Sequence, residues 1–285
     1  MVLRRLVSPL RRARTAGEAR TGARRGPPGR PTLRADLRTA CLDGSVAAAL
    51  TLVVYLILVA QVHSGTSAAL QAMPHMVHTG GVWGYSLSQA AGFAALVWAW
   101  LTIFLGLAVA SRLCPRRARV AVERIHRSTS LTVIALTLVH AFALLWDKMG
   151  DTLLTVLVPG AQTYAPGRLA QSVGIVALYL AVLVGPSYYF RDRIGARTWR
   201  LTHRFIVPAV YVLSVWHTLL YGSDVKTGSP LFFVLWVMQI PIVVAYLVRV
   251  LDPARPGERL THRFRTTSTH PTNVLPPRQE ETTQP

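Results

Sequence analysis

The sequence predicts an all-α integral membrane protein, a bundle of six transmembrane helices with both termini in the cytoplasm. Three observations carry this expectation. Hydrophobic residues make up 51% of the chain, and the mean hydropathy is +0.35, more apolar than an ordinary soluble domain. Six apolar runs of about 18 to 24 residues lie near 44–63, 88–111, 128–147, 169–189, 205–222 and 230–250, each long enough to cross a bilayer as a helix. A helix satisfies its own backbone polar groups in lipid, so helices are expected rather than strands. The third observation is charge. All Lys and Arg except Lys148, Arg168 and Lys226 fall in four segments: 1–38, 112–127, 191–204 and the tail from Arg249. Basic and non-basic loops therefore alternate, as the positive-inside rule requires when both termini are cytoplasmic.

The net charge of +19 would point to nucleic acid in a soluble protein. Its placement points instead to topology, with anionic lipid headgroups as the partner and no nucleic acid. Cys41 and Cys114 stand at expected cytoplasmic helix ends and are too few for a disulfide framework.

Three segments follow: a disordered basic tail at 1–40, the six-helix domain at 41–251, and a disordered cytoplasmic tail at 252–285. Residues 1–40 are rich in Arg, Gly and Pro, which disfavours a packed core. The run from Gly44 lacks a small-residue cleavage site, so the tail reads as an uncleaved topology anchor rather than a signal. The first helix is expected after Asp43 and Ser45, either of which can cap it. An outer loop follows from about His63 to Ser86. Its MPHMVH motif, Met73, His75, Met76 and His78, carries ligand types suited to copper or iron, although such short loop clusters often bind nothing.

The second helix should run from about Ser88 to Ser111, and the third should begin at His126 or just before it and end near Trp146 and Asp147. The apolar piece at 152–158 reads as a surface segment or a cap over a cofactor. The fourth helix should finish in Tyr188, Tyr189 and Phe190 at the inner interface. Pro208 and Pro241 fall inside the fifth and sixth helices, where membrane spans tolerate them with a bend. The 35 residues after Val250 hold no G-x-G-x-x-G phosphate loop, and a nucleotide-binding domain is not expected there.

Chemistry concentrates in four histidines. His126 and His140 are fourteen residues apart, and so are His203 and His217. Fourteen residues turn a helix through about 1400°, within about 40° of four turns, and rise about 21 Å. Each pair therefore shares a face and fits within a hydrocarbon core of about 30 Å. A histidine inside a span is a functional residue by default. The third and fifth helices run in the same direction, so His126 falls level with His203 and His140 with His217.

No Cys, Asp or Glu accompanies either level to complete a zinc site. The spans also hold essentially no carboxylates of the kind that proton relays recruit. Haem iron needs only two axial histidines and apolar walls. Arg127, Arg200 and Arg204 are candidate propionate partners at the inner level, and Lys148 or Arg168 at the outer; topology alone would also account for them.

The segments ERIHRSTSLTVIALTLVHAF and WRLTHRFIVPAVYVLSVWHTLLY resemble the two haem-binding helices of the ferric reductase-like transmembrane family. That family includes the membrane parts of ferric reductases and NADPH oxidases and the bacterial haem subunits of the methionine sulfoxide reductase system. The resemblance covers about residues 45–250 and rests on the paired histidines and the His-Arg at each helix entrance. It implies haem b, two groups expected, held between the third and fifth helices by His126 with His203 and by His140 with His217. It implies an oxidoreductase component of the inner or plasma membrane. Electrons would come from a cytoplasmic flavoprotein carrying FAD or FMN, and would leave to an extracytoplasmic acceptor such as Fe(III). One alternative is a quinol-linked haem subunit of a periplasmic reductase, with quinone as a further cofactor. A second is a metal or haem transporter, which the absence of broken helices and intramembrane carboxylates disfavours.

Overall fold

The computed structural model describes residues 33–72, 82–111, 113–147, 151–163 and 165–251. The MPHMVH motif, Lys148, most of the basic tail at 1–40 and the whole tail at 252–285 lie outside the described residues. Among the described residues every regular element is helical, and six helices are long and apolar enough to span a membrane.

The spanning helices are α1 (Leu33–His63), α3 (Val82–Ala110), α4 (Arg119–Ala143), α6 (Ala165–Ser187), α8 (Ala196–Tyr221) and the pair α9 (Pro230–Val237) with α10 (Gln239–Leu251). Short helices α2 (Ala68–Ala72), α5 (Leu153–Leu157) and α7 (Arg191–Ile194) fill the connections. The chain packs as two groups, α1 with α3 and α4, and α6 with α8. They join where α4 meets α6 and where α3 meets α8, while α10 lies against α3. Helices α4 and α8 scarcely touch. A gap therefore runs between the two helices that carry the four histidines.

Small residues explain the tight α1–α3–α4 group. Ala90, Ala91 and Ala94 on α3 and Ala47 on α1 are fully buried. Membrane helices associate through such close backbone approach, because lipid offers no hydrophobic incentive to pack. Gly84 marks the closest approach: a Cβ there would stand 2.5 Å from the Asp147 backbone nitrogen. Polar side chains add interhelical bonds, including Thr102 Oγ1 to Thr129 Oγ1 at 2.9 Å. Each such bond contributes about 0.6–2 kcal/mol in a membrane.

Several boundaries differ from the sequence expectation, each for a visible reason. Helix α1 begins at Leu33, inside the stretch expected to be disordered and well ahead of Gly44. Its added turns bring Asp36 onto Arg127 of α4, with Nε–Oδ2 at 2.9 Å, and onto the Tyr189 hydroxyl at 3.0 Å. Asp43 and Ser45 are not caps. Asp43 accepts from Trp98 Nε1 at 3.0 Å and Thr132 Oγ1 at 2.6 Å, and Ser45 Oγ bonds back to the Cys41 carbonyl. The first span thus carries two carboxylates facing the bundle, correcting the expectation of essentially none. Both are held by named donors.

Helix α4 starts at Arg119, where Arg119 and Glu123 pair at 2.9 Å across one turn. His126 therefore sits about two turns inside the helix rather than at or just after its start. Much of the expected 191–204 loop is helical too, with Gly195 at φ +90° supplying the corner between α7 and α8 that a side chain would strain. Pro208 leaves α8 continuous. By contrast the sixth span breaks at Met238, three residues before Pro241. Proline at 241 cannot donate to the carbonyl four residues back. Trp100 Nε1 donates to the Met238 carbonyl at the break, at 2.6 Å.

Candidate functional site

The structure brings the four histidines together in the two expected pairs. The His126 and His203 rings have centroids 6.3 Å apart, and those of His140 and His217 are 5.9 Å apart. In each pair the ring planes are near perpendicular, at 81° and 76°. The levels are called basic-side (His126, His203) and far-side (His140, His217) here, after the arginine-rich loops beside the first.

The hydrogen bonds behind the rings fix their chemistry. His126 Nδ1 lies 2.9 Å from the Thr102 carbonyl oxygen. His140 Nδ1 lies 2.7 Å from the Ser88 carbonyl, and His217 Nδ1 lies 2.7 Å from the Ala170 carbonyl. A carbonyl only accepts, so each Nδ1 carries the proton and donates. The neutral ring then keeps its lone pair on Nε2, the nitrogen a metal takes. A metal-ligating histidine is ordinarily held this way, which fixes its tautomer and raises its basicity. Ser88 also ties its hydroxyl to the His140 carbonyl at 2.7 Å, locking α3 to α4 at this level.

Glycines make room for three of the rings. A Cβ on Gly92 would stand 2.8 Å from His140 Nδ1, on Gly174 2.7 Å from His217 Nδ1, and on Gly106 3.1 Å from His126 Cε1. Gly92 and Gly106 are spaced like the histidines they face. A side chain at any of the three would push an imidazole off its carbonyl or off its level.

A cavity opens at each level. The far-side cavity, about 170 Å³, is lined by His140 and His217 with Phe93, Thr137, Leu178 and Ser214. The basic-side cavity, about 260 Å³, is lined by His126 and His203 with Ile134, Val184, Val207 and Trp199. Interiors rarely leave voids much larger than one water, about 10–15 Å³ on this measure, so neither cavity is a packing defect. Helix α5 closes part of the far-side cavity through buried Val156, while its Leu153 and Leu154 are exposed, so residues 152–158 both line the cavity and present an apolar surface. Its Thr152 and Thr155 form a reciprocal capping box.

Residues 91–215 match the family model of the ferric reductase like transmembrane component. This core is ferric reductase-like. That similarity suggests a transmembrane oxidoreductase component, and it spans less than half of the chain. The match covers His126, His140 and His203 and stops two residues short of His217. No curated protein and no solved structure matches the chain.

The ferric reductase-like core can be tested for fit to the haem that the matched family usually carries. Two imidazoles bound to opposite sides of one metal, each at about 2 Å, place their ring centroids roughly 6–6.5 Å apart. The observed 6.3 Å falls within this range and 5.9 Å just below it. Among the described residues no three His, Cys, Asp or Glu side chains gather to hold a bare metal ion. Two nitrogen donors between apolar walls are too few for structural zinc but complete the axial set of haem iron. The residues fit.

The candidate arginines of the ferric reductase-like core divide. Arg127 lines the basic-side cavity, but its guanidinium is held by both oxygens of Asp36, at 2.9 and 3.3 Å. Arg200 and Arg204 are exposed and do not line that cavity. Arg168 is exposed and donates to the Gln162 carbonyl. Arg249 lies in the last turn of α10. Sequence reading missed the three glycines and the three carbonyls of Thr102, Ser88 and Ala170. The fourteen-residue spacing of Gly92 and Gly106 was a signal for two of them.

Proposed function

We propose that the chain is a haem b electron carrier of the inner or plasma membrane with both termini in the cytoplasm. One observation carries the reading: two opposed imidazole pairs at metal-bridging separation, three of the four rings tied through Nδ1 to backbone carbonyls. His126 with His203 would hold one haem and His140 with His217 the other. Bound haem iron supplies reversible one-electron transfer. The chain's own residues present Nε2 and, at His126, His140 and His217, hold its tautomer.

With two imidazoles at each level, a haem held there would already have two nitrogen ligands, and the chemistry it would supply is one-electron transfer without direct binding of the acceptor to iron. A cytoplasmic flavoprotein, docking on the basic loops, delivers its two electrons one at a time at the basic-side level. Two one-electron acceptors, such as Fe(III) ions, are each reduced beyond the far-side level. Asp36 keeps Arg127 oriented beside the basic-side cavity.

Liposomes carrying the purified chain and enclosing ferricyanide test this reading. Photoreduced FMN added outside should reduce the enclosed ferricyanide, and protein-free liposomes should not allow it. Ferricyanide untouched under these conditions would overturn the reading, and reduction by quinol alone would favour the quinol-linked alternative.

A further inference from the structure

His203 is held differently from the other three histidines. Its Nδ1 is buried and has no hydrogen-bond partner among the described residues. What holds the ring is Trp199, one turn earlier on α8, whose indole stacks on it at 4.9 Å and 28°. Trp199 is itself fixed. Its Nε1 donates to Ser187 Oγ at 3.1 Å, and Ser187 in turn donates to the Val184 carbonyl at 2.6 Å. Tyr188 packs edge-on against the indole at 5.6 Å, and the Arg191 guanidinium lies 4.1 Å over the Tyr188 ring. The platform under His203 is therefore built from α6, α7 and α8 together.

The other end of α8 supplies a contrast. His217 stacks on Tyr221, one turn later, at 6.1 Å and 22°. There the imidazole is already anchored by its 2.7 Å bond to the Ala170 carbonyl. The two stacks look alike, but only one ring depends on its stack.

We infer that Trp199 is the positioning residue for His203, standing in for the missing Nδ1 hydrogen bond and making the basic-side level alone dependent on an aromatic ring. The inference rests on the haem reading above. A side chain that orients a ligand without touching the metal typically matters 10- to 100-fold in affinity. A flat apolar ring at position 199 should restore what a branched one loses.

The test compares Trp199→Leu, Trp199→Phe and Tyr221→Leu with wild type, by haem per purified chain and by electron paramagnetic resonance of the oxidised protein. Wild type must first show two low-spin signals, and their absence would count against the haem reading itself. Given two, Trp199→Leu should weaken haem binding at one level about 10- to 100-fold and shift or lose that signal. The other signal should stay, which also shows that the variant folds. Trp199→Phe should bring the signal back, and Tyr221→Leu should change neither. Both signals unchanged in Trp199→Leu, or both lost together, would overturn the inference.

Discussion

His140→Ala should cost the chain one of two haems and stop electrons from crossing the membrane. The ring supplies the only imidazole that α4 contributes to the far-side level, opposite His217 at 5.9 Å. Its removal leaves Gly92 and the Ser88 carbonyl facing empty space, with no substitute donor. The fold should survive, because the Ser88 hydroxyl, which lies 3.1 Å from the ring Nδ1, also donates to the backbone carbonyl of residue 140 at 2.7 Å, and that bond outlasts the ring. Reduced-minus-oxidised spectra of the purified variant check this. The expected result is half the wild-type haem per chain, with the basic-side spectrum intact. Undiminished haem would show that His140 is not a ligand.

The second large effect is on stability. Asp36 and the Arg127 side chain are buried to 4% and 19% exposure and bond through both carboxylate oxygens. Removing one partner of a buried pair strands the other charge, which costs about 3–5 kcal/mol, whereas replacing both with apolar groups is often neutral. Asp36→Ala should therefore lower the thermal stability of the detergent-solubilised protein sharply. Asp36→Leu combined with Arg127→Met should recover most of the loss. A single variant as stable as wild type, or a double variant no better than the single, would show that the pair is solvated.

What the sequence made legible follows from period and solvent. Apolar runs of bilayer length announce spans whatever they pack against, so six helices were readable. The fourteen-residue spacing put His126 with His140, and His203 with His217, on common faces; parallel helices then matched the levels. The α1 start was hidden because Asp36 finds its partner 91 residues away, and a local reading of an arginine-rich stretch sees only disorder. Asp43 read as a cap for the same reason, since Trp98 and Thr132 come from other helices. The break in the sixth span was half visible: Pro241 announced a disruption, but not the Trp100 indole that satisfies the Met238 carbonyl. The carbonyls behind the histidines carry no side-chain signature at all. They are backbone atoms placed by the packing of α3 on α4 and of α6 on α8.

The central claim is two bis-histidine haems in one chain. Counting haem b against protein on the wild-type chain, with electron paramagnetic resonance of the oxidised form, tests it most directly. The account predicts two haems per chain, both low-spin and both held by two imidazoles. One haem would mean that one of the imidazole pairs stands opposed for another purpose. None, from cells supplied with haem, would contradict the account.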